Sequence, residues 1–137
     1  MAGDPSSPLQ KAVIDILEND ATLFPKITGV FSNVPDNEDY PYIYYGEAPG
    51  NDWGTFTTYG EDILFNLHIY SNYDTNKQTQ DIMNDIKRLF CNTDFAIDGW
   101  ANVGCWFDYS NIMEEKSSIG SIIYHGIVRF KIEVQEL

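Results

Sequence analysis

His68 and His125 are the only histidines in this 137-residue sequence, so imidazole acid–base chemistry must pass through one of them. A nucleophilic site would need a Ser or Cys held beside a histidine, with a third group to orient the ring. Neither histidine has such a setting, and there is no G-x-S-x-G turn to present a serine. His68 lies beside Asn66 in an alternating segment, which predicts a half-exposed histidine on a sheet. A zinc site wants closely spaced Cys and His ligands, a spacing that Cys91, Cys105 and the two histidines do not supply. The two cysteines sit among apolar neighbours and read as buried free thiols. Asp36, Glu38 and Asp39 form the densest acidic cluster. A calcium loop requires glycine at its sixth position, where this sequence has Pro41, so a solvated turn is expected. Asp81 and Asp85, one helical turn apart, read as a polar helix face partly offset by Lys77 and Arg88. Nucleotide-binding glycine motifs are missing. The expectation is a protein with no catalytic residues, no cofactor and no metal.

Binding has a better candidate. Ala48–Gly60 shows no period, is framed by Gly50, Gly54 and Gly60, and carries Trp53, Phe56 and Tyr59 where a loop is ordinarily polar. These aromatics either fold back on their own sheet or anchor in a partner's pocket. Thr55, Thr57 and Thr58 favour extended backbone, so the segment is able to form a hairpin arm. Trp53, Phe56, Tyr59, Thr55 and Thr57 are the candidate interface.

The elements that would position these residues follow from hydrophobic spacing. Ser7, Pro8 and Gln10 make a helix start with a capping box, and Leu9, Val13, Ile16 and Leu17 give one apolar stripe to about Glu18. An extended stretch at Ile27–Phe31 precedes the turn-rich Asn33–Tyr40, and Tyr42–Glu47 reads as a strand. Asp62–Tyr70 alternates cleanly, with Ile63, Phe65, Leu67 and Ile69 on one face and Asp62, Asn66 and His68 on the other. Asp74 is placed to cap a second helix that buries Ile82, Met83, Ile86, Leu89 and Phe90. Asp74, Gln78, Asp81 and Asp85 form its opposite stripe. Val103–Met113 alternates with Val103, Cys105, Phe107 and Tyr109 on one side. After a polar connection at Glu114–Ser121, Ile122–Val134 turns Val128, Phe130, Ile132 and Val134 inward. The order α-β-β-β-α-β-β, with short polar loops, predicts an α+β fold: an antiparallel sheet packed with two helices. Residues 1–137 form one domain, with 1–7 as a flexible lead.

Composition narrows the partners. An apolar fraction of 43% and an aromatic fraction of 15% suit a packed core. Eight basic residues against 21 acidic ones leave a net charge of −13, too few cations to grip phosphates or an anionic membrane. The N-terminus lacks the layout of a signal peptide, and no apolar run approaches the ~20 residues that span a bilayer. A reducing cytoplasm is the expected folding environment.

The ordered set of segments resembles the small tail-completion family of long-tailed phages, which includes tail-terminator and tail-to-head joining proteins. The resemblance is carried by Asn33–Val34–Pro35, Tyr40–Pro41–Tyr42–Ile43, Gly46–Glu47, Asp52–Trp53 and Gly60–Glu61. It continues through Leu67–His68–Ile69–Tyr70–Ser71, the helix with Ile82, Ile86 and Leu89, and Tyr124–His125–Gly126–Ile127–Val128–Arg129–Phe130. It covers Leu9 to Val134, although no single motif is diagnostic. It implies a virion protein assembled in the host cytoplasm as a homo-hexameric ring that stops growth of the tail tube. Its partners would be the tube protein and the head-connector or stopper protein. DNA would pass through without specific binding, along an acidic or neutral bore, and no membrane is involved. The strong acidity departs from the family pattern, and Cys105–Trp106 maps to no family role. Two other readings stay open: another neck or head-completion subunit, and a small-ligand binding domain.

Overall fold

The computed structural model describes residues 3–36, 38–55, 57–91 and 94–137. Helix α1 spans Ser6–Asn19 and buries Leu9, Val13 and Leu17 completely, at the spacing that puts one stripe against a core. It begins one residue before Ser7. Ser7 is not the cap: Asp4 accepts hydrogen bonds from the Ser6 backbone N–H at 3.0 Å and the Ser6 hydroxyl at 2.7 Å. Of the lead predicted at 1–7, residues 1 and 2 lie outside the described residues, while Ser6 and Ser7 are helical.

A short 3₁₀ turn at Phe24–Lys26 occupies part of the chain before the first extended residues. Strands β1 (Val30–Phe31), β2 (Tyr42–Tyr45), β3 (Gly50–Asp52) and β4 (Gly60–Ser71) follow. Helix α2 then covers Lys77–Phe90, and strands β5 (Trp100–Lys116) and β6 (Ile122–Glu136) complete the chain. The fold is α+β, with one six-stranded sheet ordered β1-β2-β4-β6-β5 and β3 paired to the start of β4. The aperiodic Ala48–Gly60 segment thus hides an extra strand, whose exposed Gly-Asn-Asp sequence carries no alternation. Pairing is antiparallel except that β1 runs parallel to β2, because the chain crosses from one to the other through 32–41 without a hairpin reversal.

Both helices cover one face of the sheet. Ile63, Phe65, Leu67 and Ile69 of β4 and Val128, Phe130, Ile132 and Val134 of β6 point into that layer, in the predicted phase. Its centre is aromatic: Phe65 stacks on Phe130 at 5.5 Å, and Phe90 meets Phe65 edge-on at 5.7 Å. Helix α2 lies directly on β6, since a methyl group on Gly126 would come within 2.7 Å of Thr79 Cγ2.

Three local expectations are corrected. Asp74 does not cap α2, whose N-cap is Asn76; the Thr75 hydroxyl instead accepts from the Lys77 backbone N–H at 3.3 Å. Asp85 does not face water: it is 4% exposed and paired with Lys26 at 2.7 Å. Val103 and Tyr109 do not share a side with Cys105, because register shifts at Asn102/Gly104 and Phe107/Tyr109 break the alternation of β5. Phe107 does keep that side, opposite Phe130, but stays 43% exposed at the sheet edge.

Candidate functional site

The predicted interface segment forms the β3–β4 hairpin. Its backbone is already paired: Gly50–Asp52 align with Ile63–Glu61, and the Trp53 N–H donates to the Gly60 carbonyl at 3.0 Å. The Trp53 ring lies flat over Gly60, where a side-chain carbon would come within 2.4 Å of it, so only glycine admits the indole there. The indole N–H is buried and has no hydrogen-bond partner among the described residues. The Tyr59 hydroxyl donates to Glu61 at 2.7 Å, which pushes the phenol up to about 12, and its ring meets Trp100 edge-on at 5.6 Å. Thr55 and Thr57 are exposed at the tip, where the Thr55 N–H donates to the Thr58 carbonyl. Phe56 lies outside the described residues. The structure therefore brings Trp53 and Tyr59 against their own sheet and leaves the tip threonines facing out.

A second surface had no clear signal in the sequence. Among the described strands β5 pairs with β6 alone, so one side of a 17-residue strand is an open edge among the described residues. Trp106, Phe107 and Tyr109 are each more than 40% exposed there, and Val103 and Met113 extend the apolar character. Two cations steady these rings, Lys87 over Phe107 at 4.5 Å and Arg129 over Tyr109 at 5.2 Å. Trp106 and Phe107 alternate normally, and the shift at Phe107/Tyr109 then sets Tyr109 opposite Arg129, on the side of Trp106, where a period-two reading does not place it.

The third feature lies on the sheet face turned away from the helices. His68 Nε2 is 3.0 Å from Glu47 Oε1, His68 Nδ1 is 2.8 Å from His125 Nε2, and His125 Nδ1 is 2.6 Å from Glu115 Oε2. The histidines are 8% and 7% exposed, so His68 is not the half-exposed residue expected from the strand pattern. Neighbouring side chains bury it, Tyr44 on one side and His125 on the other. Burial pushes the Glu47 carboxyl up, but its hydrogen bond to His68 and the nearby positive charge outweigh this and hold it below the ordinary value. The histidines touch each other directly, and no group of three His, Cys, Asp or Glu side chains converges as a metal site among the described residues. Asp81 and Asp85 diverge, Asp81 to Lys77 and Asp85 to Lys26. Burial and the neighbouring Cys91 push the Cys105 thiol up to about 12, away from nucleophilic thiolate chemistry.

A sheet armoured by helices on one face, bare on the other and open along its longest edge strand is an α+β architecture whose accessible features are surfaces. The chain belongs to the family of tail completion protein gp17, whose model matches residues 11–135. It is 21% identical over 129 residues to tail completion protein gp17 of Bacillus phage SPP1, covering 94% of this chain and 93% of that protein. A solved chain from the virion of a native gene transfer agent particle has the same fold, with a TM-score of 0.84 at 18% identity. That match covers 98% of this chain and 99% of the other. The protein is a structural component of a phage tail. No helix among the described residues is long and apolar enough to cross a membrane.

Proposed function

We propose that the chain forms a homo-hexameric ring at the head-proximal end of the tail, ends growth of the tube and joins it to the head connector. The observation that carries this reading is the open β5 edge. A long strand with unpaired backbone groups and exposed Trp106, Phe107 and Tyr109 is a template for another chain. Ring closure gives every such edge a partner, and six copies is the number that the family resemblance implies. The hairpin tip, with Thr55 and Thr57 facing out, supplies a contact to the tube protein or the connector. A net charge of −13 suits a bore through which DNA slides without being held. The role is structural rather than catalytic, and assembly takes place in the host cytoplasm.

Replacing Trp106 and Met113 together by lysine tests the edge. Both side chains are exposed, so the stability of the folded monomer should change by no more than about 0.5 kcal/mol. Electron microscopy should then show tails without a terminal ring, and full heads that carry no tail. Normal-length tails joined to heads in this variant would overturn the assignment of the edge.

A further inference from the structure

The contacts around His68 and His125 fix a proton inventory. Three contacts run in series from Glu47 through His68 and His125 to Glu115, at 3.0, 2.8 and 2.6 Å. Each hydrogen bond needs one proton, and an ionised carboxylate brings none. Two neutral imidazoles carry two N–H groups between them. If both point outward to the carboxylates, two bare nitrogen lone pairs face each other at 2.8 Å, which is repulsive. If one points inward, a carboxylate faces a lone pair instead. Only a third proton satisfies all three contacts. An imidazole is intrinsically more basic than a carboxyl, with reference values of about 6.5 and 4.3, so that proton belongs on the rings.

We propose that His68 and His125 share this third proton and form a cationic clasp across three strands, from the loop after β2 through β4 and β6 to the edge strand β5. The surroundings suit a positive charge. Glu47 and Glu115 close the two ends, and the His125 ring is stacked against Tyr70 with centroids 4.4 Å apart, presenting the electron-rich face of the phenol to it. Tyr70 stays neutral, since burial first and Glu115 second push its hydroxyl up to about 12. From β2, Tyr44 flanks His68 and Tyr42 stacks on Tyr70. Arg129 on β6 opposes the charge. It is engaged elsewhere, donating to Asn66 at 3.0 Å and lying 3.6 Å from Asp108 of β5. Removing the third proton breaks one of the three links, so alkaline conditions loosen the lateral tie to β5. Adding a fourth breaks the His–His link, so strongly acid conditions do the same. The clasp is independent of the ring reading.

Nitrogen-15 NMR of the histidine-labelled full chain counts the ring protons directly. At pH 7 the expected result is three protonated nitrogens among four, with two inequivalent rings. Glu115→Gln keeps an oxygen acceptor for His125 but removes one flanking charge. The third proton should then leave at lower pH, a shift of about one unit or more in that step. Two protonated nitrogens in the unmodified chain at pH 7 would overturn the proposal, as would a third proton whose release Glu115→Gln does not move.

Discussion

Asp85 sits on a helix face that the sequence marks as polar, yet it is almost fully buried between α2 and the turn that follows α1. A carboxylate survives there because Lys26 Nζ lies 2.7 Å from one oxygen and Arg88 approaches the other at 3.7 Å. Removing one member of such a pair leaves an incompletely compensated charge, which costs about 3–5 kcal/mol in a fully buried site. Lys26 is itself 42% exposed, so water screens part of this term. Lys26→Met is therefore expected to destabilise the chain by roughly 1–3 kcal/mol in denaturant unfolding. Asp85→Asn in the same background should recover part of the loss. A Lys26→Met variant as stable as the parent would show that Arg88 alone suffices. Lys77 and Arg88 do offset Asp81 and Asp85 on the polar face read from the sequence, but helical spacing gives direction and not that the turn after α1 packs on Asp85.

Among the elements, α2 and β6 are pressed together most closely. Gly126 gives up its side chain so that Thr79 and Met83 can settle on the strand, with a methyl at that position meeting Thr79 Cγ2 at 2.7 Å and Met83 Sδ at 3.2 Å. Gly126→Val would force α2 away or bend β6, at an overpacking cost of about 1–3 kcal/mol. Thermal unfolding should register that loss. The same substitution in a Thr79→Ala, Met83→Ala background should be better tolerated than the single losses add up to, and strict additivity would place the contact elsewhere. Strand β5 is the contrasting element. Cys105 and Phe107 share its inner side, Trp106 lies on the other, and the shift after Phe107 puts Tyr109 on the side of Trp106. All three rings stay exposed because nothing among the described residues covers the edge. One strand thereby serves the core at one position and an outward surface at the next.

At the scale of the whole molecule, charge shapes the response to pH. Asp20 ties the end of α1 to α2: Arg88 donates to its carboxylate at 2.8 Å, and the Leu23 backbone N–H donates to the same oxygen at 2.9 Å. The Arg88 hydrogen bond is the main reason that this carboxyl is held below its ordinary value of 3.8. A carboxyl depressed in the folded state adds stability that is fully present above its unfolded value and disappears as pH falls through the folded value. Asp20→Asn should therefore be less stable than the parent by a constant amount above pH ~5, with the gap closing below pH ~4. A gap that widens in acid would contradict the assignment. The remaining acidic excess is spread over the surface, where mutual repulsion opposes bringing copies together and screening by salt relieves it.

Local chemistry was enough to write the helices, the inward phase of β4 and β6, and the family resemblance into the sequence. Leu9, Val13 and Leu17 recur at the helical period, and Phe65, Leu67, Val128 and Phe130 at the strand period, because each element must bury one continuous face. The aromatic content of the 48–60 segment was equally legible, though not which way those rings turn. Tertiary structure decided that, since Trp53 finds its flat surface at Gly60 only once the hairpin has closed. It decided the parallel β1–β2 pair, which depends on where a ten-residue crossing lands rather than on either strand. It also decided the two least legible features, the open edge of β5 and the Glu47–His68–His125–Glu115 chain. Strand order and register are properties of pairing, and His68 and His125, 57 residues apart in sequence, become neighbours only when β4 and β6 align Tyr70 with His125. A periodic pattern reports which face a residue is on, whereas the partner across that face is set by the fold.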